Sequence, residues 1–143
     1  MTAQQQNNTE TESFFGKEIF SYTRAQAMED GGLVDVSETA REAGFKIPVA
    51  LTRTVWIDCV KWDAEDNNRQ TLQDESGRLW DVLYMASIAA RQNRTSSQPV
   101  LYNFLRIPRG GRGVRPKMTT LKIHIGPGDN GESVITIMQP NED

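Results

Sequence analysis

Between Arg78 and Arg91 apolar side chains return every three to four residues over about four turns, which predicts a helix. Leu79, Val82, Leu83, Ala86, Ala89 and Ala90 fall on one continuous arc, and Arg78, Asp81 and Gln92 form a narrow polar stripe. Trp80, Tyr84 and Ile88 widen the apolar surface, so segments on both sides of this helix are expected to pack against it. Their spacing predicts either an Arg78–Asp81 pair along the polar stripe or an Asp81 that accepts from the sheet or from a Trp.

Upstream, the pattern breaks into short pieces. Thr23 is placed to cap a helix through Glu29, ended by Asp30-Gly31-Gly32, and Leu33 to Val36 reads as a short strand. Ser37 is placed to cap a second helix, Glu38 to Ala43, with Gly44 as its left-handed stop. Thr52 to Trp62 is rich in β-branched residues, which argues strand. Val55, Cys59 and Trp62 keep four-residue spacing behind a Thr52 cap, which argues helix, the reading preferred here. Asp63 to Asn68 suits a further helical turn or a loop. Asp74 and Glu75 sit at the positive end of the long helix, and Thr95 to Pro99 forms a loop after it.

The last third changes period. Val100 to Ile107, Met118 to Ile125 and Ser133 to Met138 are β-branched and aromatic runs separated by Gly/Pro-rich turns, the last two forming a hairpin around Gly126 to Gly131. Leu121, Ile123 and Ile125 alternate with Lys122 and His124, and Leu101, Leu105 and Ile107 alternate with Tyr102, Phe104 and Arg106. The aliphatic set is expected to face the long helix. That leaves Tyr102, Phe104, Lys122 and His124 on an outer face, unless further helices cover the two aromatics. The fold class is therefore α+β, with N-terminal helices packed on a C-terminal antiparallel sheet of at least three strands. Residues 1–13 read as a disordered polar tail, 14–139 as one domain and 140–143 as a short acidic tail.

Composition narrows the classes. No apolar run approaches the roughly 20 residues that cross a bilayer, and Met1 to Gln6 is neither basic nor apolar, so a cytoplasmic location is expected. One cysteine, Cys59, and one histidine, His124, argue against a disulfide or a Cys/His metal site, and no metal or cofactor is expected. Cys59 falls in the apolar repeat, as an inert buried thiol would.

Charge is unevenly divided. From Val82 to Gly128 there are eight basic residues and no acid; the rest of the chain sets its other eight against all 19 acids, a net of −11, although the whole carries only −3. Five of the eight, Arg106, Arg109, Arg112, Arg115 and Lys117, lie in a glycine-rich connection between two strands. Arginine forks match phosphate and carboxylate geometry, and glycine lets backbone amides approach an anion. This loop, with Lys122, Tyr102 and Phe104, is the candidate surface for nucleic acid or an acidic protein. Asp58 and Asp63 are expected on an exposed helix face. Two alternatives stand beside the binding reading. One is a metal-independent ribonuclease-like enzyme using His124, although no second acid or base lies at a fixed spacing. The other is an interaction or inhibitor module acting through the acidic surface.

The segments Ser21 to Ala27, Leu33 to Ala40, Gln73 to Leu83 and Gly126 to Asp129 resemble those of an uncharacterised bacterial domain family found on plasmids and integrated elements. The resemblance runs from about Phe15 to the C-terminus. It implies a bacterial or mobile-element origin, and it carries no activity and no functional residues.

Overall fold

A computed structural model describes residues 22–95 and 98–143. The expected disordered tail, the onset of order at Phe14 and Phe15, and part of the Thr95–Pro99 loop lie outside the described residues. The architecture is α+β, and the described residues contain a five-stranded mixed sheet.

Helix α1 (Arg24–Asp30) starts at a Thr23 capping box with Gln26 and stops at Gly31, whose φ of 85° suits a residue without a side chain. Strand β1 (Leu33–Asp35) leads to α2 (Ser37–Glu42). Here Val36, not Ser37, holds the cap position. The Ser37 hydroxyl instead donates to Asp35 at 2.6 Å and accepts from the Val49 N–H, tying α2 to β2 (Val49–Thr52).

Thr52 then caps a short helix, α3 (Arg53–Val55), that runs straight into a π-helical turn at Trp56–Val60. The ambiguous segment is thus helical behind its Thr52 cap, as preferred, from Arg53 to Val60, and the strand lies before it. Helix α4 (Ala64–Arg69) follows an Asp63 capping box, and α5 (Glu75–Gln92), capped by Asp74, is the long helix foreseen. Three strands complete the chain: β3 (Val100–Arg106), β4 (Lys117–Pro127) and β5 (Ser133–Met138).

The strand order is β1-β2-β5-β4-β3. β4 runs antiparallel to both β3 and β5, as expected, but β5 runs parallel to β2, which joins the N-terminal strand pair to the hairpin. Val49, Leu51, Leu121, Ile123, Ile135 and Ile137 line one face, the inner one, and meet α2, α3 with its π turn, and α5. Arg24 of α1 reaches the opposite, outer face, donating to the Thr136 hydroxyl at 2.7 Å and to the Ile135 carbonyl at 2.7 Å. Asp129 of the hairpin turn accepts from the Arg24 and Ala25 N–H groups, pinning that turn to the start of α1.

Three expectations about side-chain direction are corrected. In β3 the aromatic set faces inward: Tyr102 and Phe104 are buried, while Leu101 and Leu105 are exposed on the outer face. Register decides this, because Tyr102 lies opposite Leu121 and alternation carries the rest. On the same face as Leu121 and Ile123, Ile125 is exposed at the sheet's end. On α5, Arg78 is buried and Trp80 and Tyr84 are partly exposed, stacked at 5.8 Å along one side of the helix. The expected Arg78–Asp81 pair is replaced: Arg78 donates to the carbonyls of Val60 (3.2 Å) and Ile107 (2.9 Å).

No helix among the described residues is long and apolar enough to cross a membrane. Cys59 is buried in the core, where burial pushes its thiol up to about 11.

Candidate anion-binding loop

The 107–116 connection between β3 and β4 is tied at its base and open at its tip. Arg106 belongs to the inward set of β3, so its guanidinium reaches the π-helical turn and donates to both carboxylate oxygens of Asp58, at 3.0 and 2.9 Å. Arg109 donates from Nε to Asp66 at 2.7 Å and from Nη2 to Asp63 at 3.0 Å. The Gln70 amide closes the loop on itself: Nε2 donates to the carbonyls of Pro108 (3.0 Å) and Gly113 (2.5 Å), and Oε1 accepts from the Gly110 N–H at 2.9 Å. Gly110 and Gly111 turn the chain with φ of 112° and 66°, a conformation that side-chain-bearing residues rarely adopt.

Asp66 is the centre of this anchor. Its side chain is fully buried, and burial alone would raise its pKa. The hydrogen bond from Arg109 and those from the Asp63 cap outweigh that effect and hold it at about 2. Arg109 is raised in turn, chiefly by its bond to Asp66.

The candidate residues are therefore divided by their surroundings. Arg106 and Arg109 are committed to carboxylates, so Asp58 and Asp63 have structural partners and are not merely solvated as expected. Lys122 lies on the outer face and donates to the Glu142 carbonyl, while the Glu142 carboxylate accepts from the Thr52 hydroxyl and the Gln139 N–H. Tyr102 and Phe104 offer no stacking platform: their rings lie 6.1 Å apart under α5, and the Tyr102 hydroxyl donates to the Val82 carbonyl at 3.1 Å. Burial pushes the Tyr102 phenol up. The proposed shared face of Tyr102, Phe104, Lys122 and His124 does not form, since the two aromatics point inward and the two basic residues outward.

Arg112, Arg115 and Lys117 remain exposed, with no hydrogen bond or ion pair among the described residues. Among the described residues Arg112 and Arg115 are the unpaired cations of the loop, and Lys117 is the unpaired cation at the start of β4. His124 stands exposed opposite Thr136, the hydroxyl of which is held by Arg24. Among the described residues it has no hydrogen-bonded acid or base beside it. The carboxylates nearest the loop are bound to arginine, and no group of three or more His, Cys, Asp or Glu among the described residues is placed to hold a metal ion.

A second set of cations, unpaired among the described residues, lies at the other end of α5. Lys46, Arg91 and Arg94 rim a cavity of about 500 Å³ with Phe45, Val100 and Ile123 in its wall. The positive charge read as one segment in sequence is thus split between two ends of the molecule.

Sequence reasoning missed the anchors Asp58, Asp66 and Gln70. Their partners lie 38 to 48 positions away, beyond the reach of any local spacing rule. The one local sign was the Asp63-x-x-Asp66 cap.

No curated protein and no solved structure matches the chain. The model of a family of unknown function, DUF6573, matches residues 11–143.

Proposed function

The chain belongs to the DUF6573 family, a family of unknown function, and we propose that it is a binding protein that grips a polyanion, most naturally a nucleic-acid backbone, through the tip of its 107–116 loop. The observation that carries this reading is the contrast within one loop. Arg106, Arg109 and Gln70 fix its base to Asp58, Asp63 and Asp66 and to its own carbonyls, while Arg112 and Arg115, with Lys117 at the start of β4, are exposed and have no counter-ion among the described residues. A pre-tethered arm loses less conformational freedom on binding than a floppy one. Three cations that release counter-ions from phosphates give affinity that falls steeply with salt and depends little on base sequence. In the same proposal the protein is cytoplasmic and of mobile-element origin, where a small accessory factor that meets nucleic acid has an evident place.

Fluorescence anisotropy with single-stranded and duplex oligonucleotides across a salt series tests the reading. The parent protein is expected to bind at low salt. Changing Arg112, Arg115 and Lys117 together to Gln should abolish binding and leave the melting temperature in place. Absence of binding at low salt overturns it. Binding of an acidic protein surface without nucleic-acid binding would overturn the nucleic-acid assignment in favour of the other partner expected from sequence. Turnover of RNA lost in His124→Ala would instead establish the enzyme.

A further inference from the structure

The two edges of the sheet are treated differently. β1 has only three residues, ends in the charged Asp35 and is packed by α1. β3 has seven, and among the described residues nothing pairs with its far side. Exposed edges are normally guarded by lysine, proline, a bulge or brevity. From Val100 to Leu105 the strand carries no charge and no proline, and it is flanked by apolar groups on both sides. Leu101, Leu105 and Met118 are 60%, 57% and 64% exposed on the outer face. On the helix side, Asp81, Tyr84 and Met85 of α5 join Asn103, Phe104, Leu105 and Met118 around an open cavity of about 440 Å³ along the edge, apolar but for Asp81 and Asn103.

The sequence of this edge indicates what fits it. Around Asn103 the five residues from Leu101 to Leu105 read the same in class from either end: Tyr102 mirrors Phe104, and Leu101 mirrors Leu105, while outside them Val100 mirrors Arg106. Two antiparallel copies centred on Asn103 would set each leucine opposite a leucine on one face and each Tyr102 opposite a Phe104 on the other. That is the self-complementarity a two-fold interface requires, and like residues directly opposed in this way are favourable cross-strand pairs. The centre is compatible as well. The Asn103 Oδ1 accepts from the Thr120 hydroxyl at 2.6 Å, which leaves its amide hydrogens without an acceptor among the described residues.

We propose that β3 pairs antiparallel with β3 of a second copy of this chain, Asn103 opposite Asn103, joining two five-stranded sheets into one of ten strands across a two-fold axis. The pairing satisfies the free backbone groups of both edges and covers Leu101 and Leu105. It stands independently of what the 107–116 loop binds.

Register-specific cross-linking tests it on the full chain. Directly opposed antiparallel residues have Cα atoms about 4.5 to 5.5 Å apart, within disulfide range. Asn103→Cys should therefore form a covalent dimer on mild oxidation. Leu101→Cys and Leu105→Cys should each fail alone, because their own counterparts lie four residues along the strand, about 13 Å away. Mixed together they should cross-link. Buried Cys59 does not compete. In sedimentation the parent protein should be a dimer at micromolar concentration and Leu105→Lys a monomer with unchanged far-UV circular dichroism. A monomeric parent, a dimer that survives Leu105→Lys, or cross-linking through Leu101→Cys alone would each overturn the pairing. Each of these outcomes is read without nucleic acid, so failure here leaves the loop reading untouched and the reverse also holds.

Discussion

The guanidinium of Arg78 lies over the indole of Trp62, 4.5 Å from the ring centroid, in a site that is almost wholly closed to solvent. Among the described residues no carboxylate pairs with it. Two main-chain carbonyls, from Val60 and Ile107, and the ring face take that place, so one side chain fastens the π-helical turn, the first turns of α5 and the end of β3. Burial lowers the Arg78 pKa, as desolvation of a cation must.

Removing this cation leaves two buried carbonyls without donors. Arg78→Met is expected to lower unfolding stability by about 2–4 kcal/mol in urea titrations, and Arg78→Lys should not restore it, since a single ammonium cannot copy the planar fork. Trp62→Leu should cost less than Arg78→Met, because the carbonyl bonds survive it.

Acid should release the loop before the core. Asp66 has a folded pKa depressed to about 2 against an ordinary 3.8, so its contribution is full above about pH 4 and is lost as pH falls towards 2. Melting temperature measured from pH 6 down to pH 2 should fall within that window. Asp66→Asn should be less stable at neutral pH and should lack this part of the acid transition. Limited proteolysis at Arg112 should accelerate in the same variant.

Neighbouring arginines should behave in opposite ways. Arg106→Gln takes from the half-buried Asp58 carboxylate its charged partner, leaving the Gln139 amide at 3.2 Å, and should lower the melting temperature, with little change in the salt dependence of oligonucleotide binding. Arg112→Gln breaks no internal bond; it should leave stability within about 0.5 kcal/mol and reduce the salt slope by about one unit. Paired measurements of thermal melting and binding check both.

Truncation along β3 should read out its inverted facing. Phe104→Ala is expected to cost about 3–5 kcal/mol, and Tyr102→Phe about 1 kcal/mol for the lost bond to Val82. For the protomer, Leu101→Ala should fall within about 0.5 kcal/mol, measured under conditions where the protein is monomeric.

The thiol of Cys59 should be silent in the native state. Core burial and a pKa raised to about 11 predict no reaction with a thiol reagent at neutral pH, followed by one equivalent released in denaturant.

Much of this was legible in the chain. The period of 3.6 from Leu79 to Ala90, the Thr23 and Thr52 caps, the acids Asp74 and Glu75 at the start of the long helix and the alternating runs at 100–107, 118–125 and 133–138 are local signals, and each produced the expected element. Such signals depend on residues a few positions apart, which is why sequence determined them and with them the α+β class. What tertiary structure alone decided is direction and pairing. Alternation says that Tyr102 and Leu101 point to opposite faces, but only the register with Leu121 says which face is inside. Charge counting places eight cations in one segment, but only the folded chain brings Asp58, Asp63 and Asp66 under two of them and leaves Arg112, Arg115 and Lys117 free. The parallel contact between β2 and β5 is of the same kind, because long-range partners are chosen by the whole core at once and leave no periodic trace in the sequence.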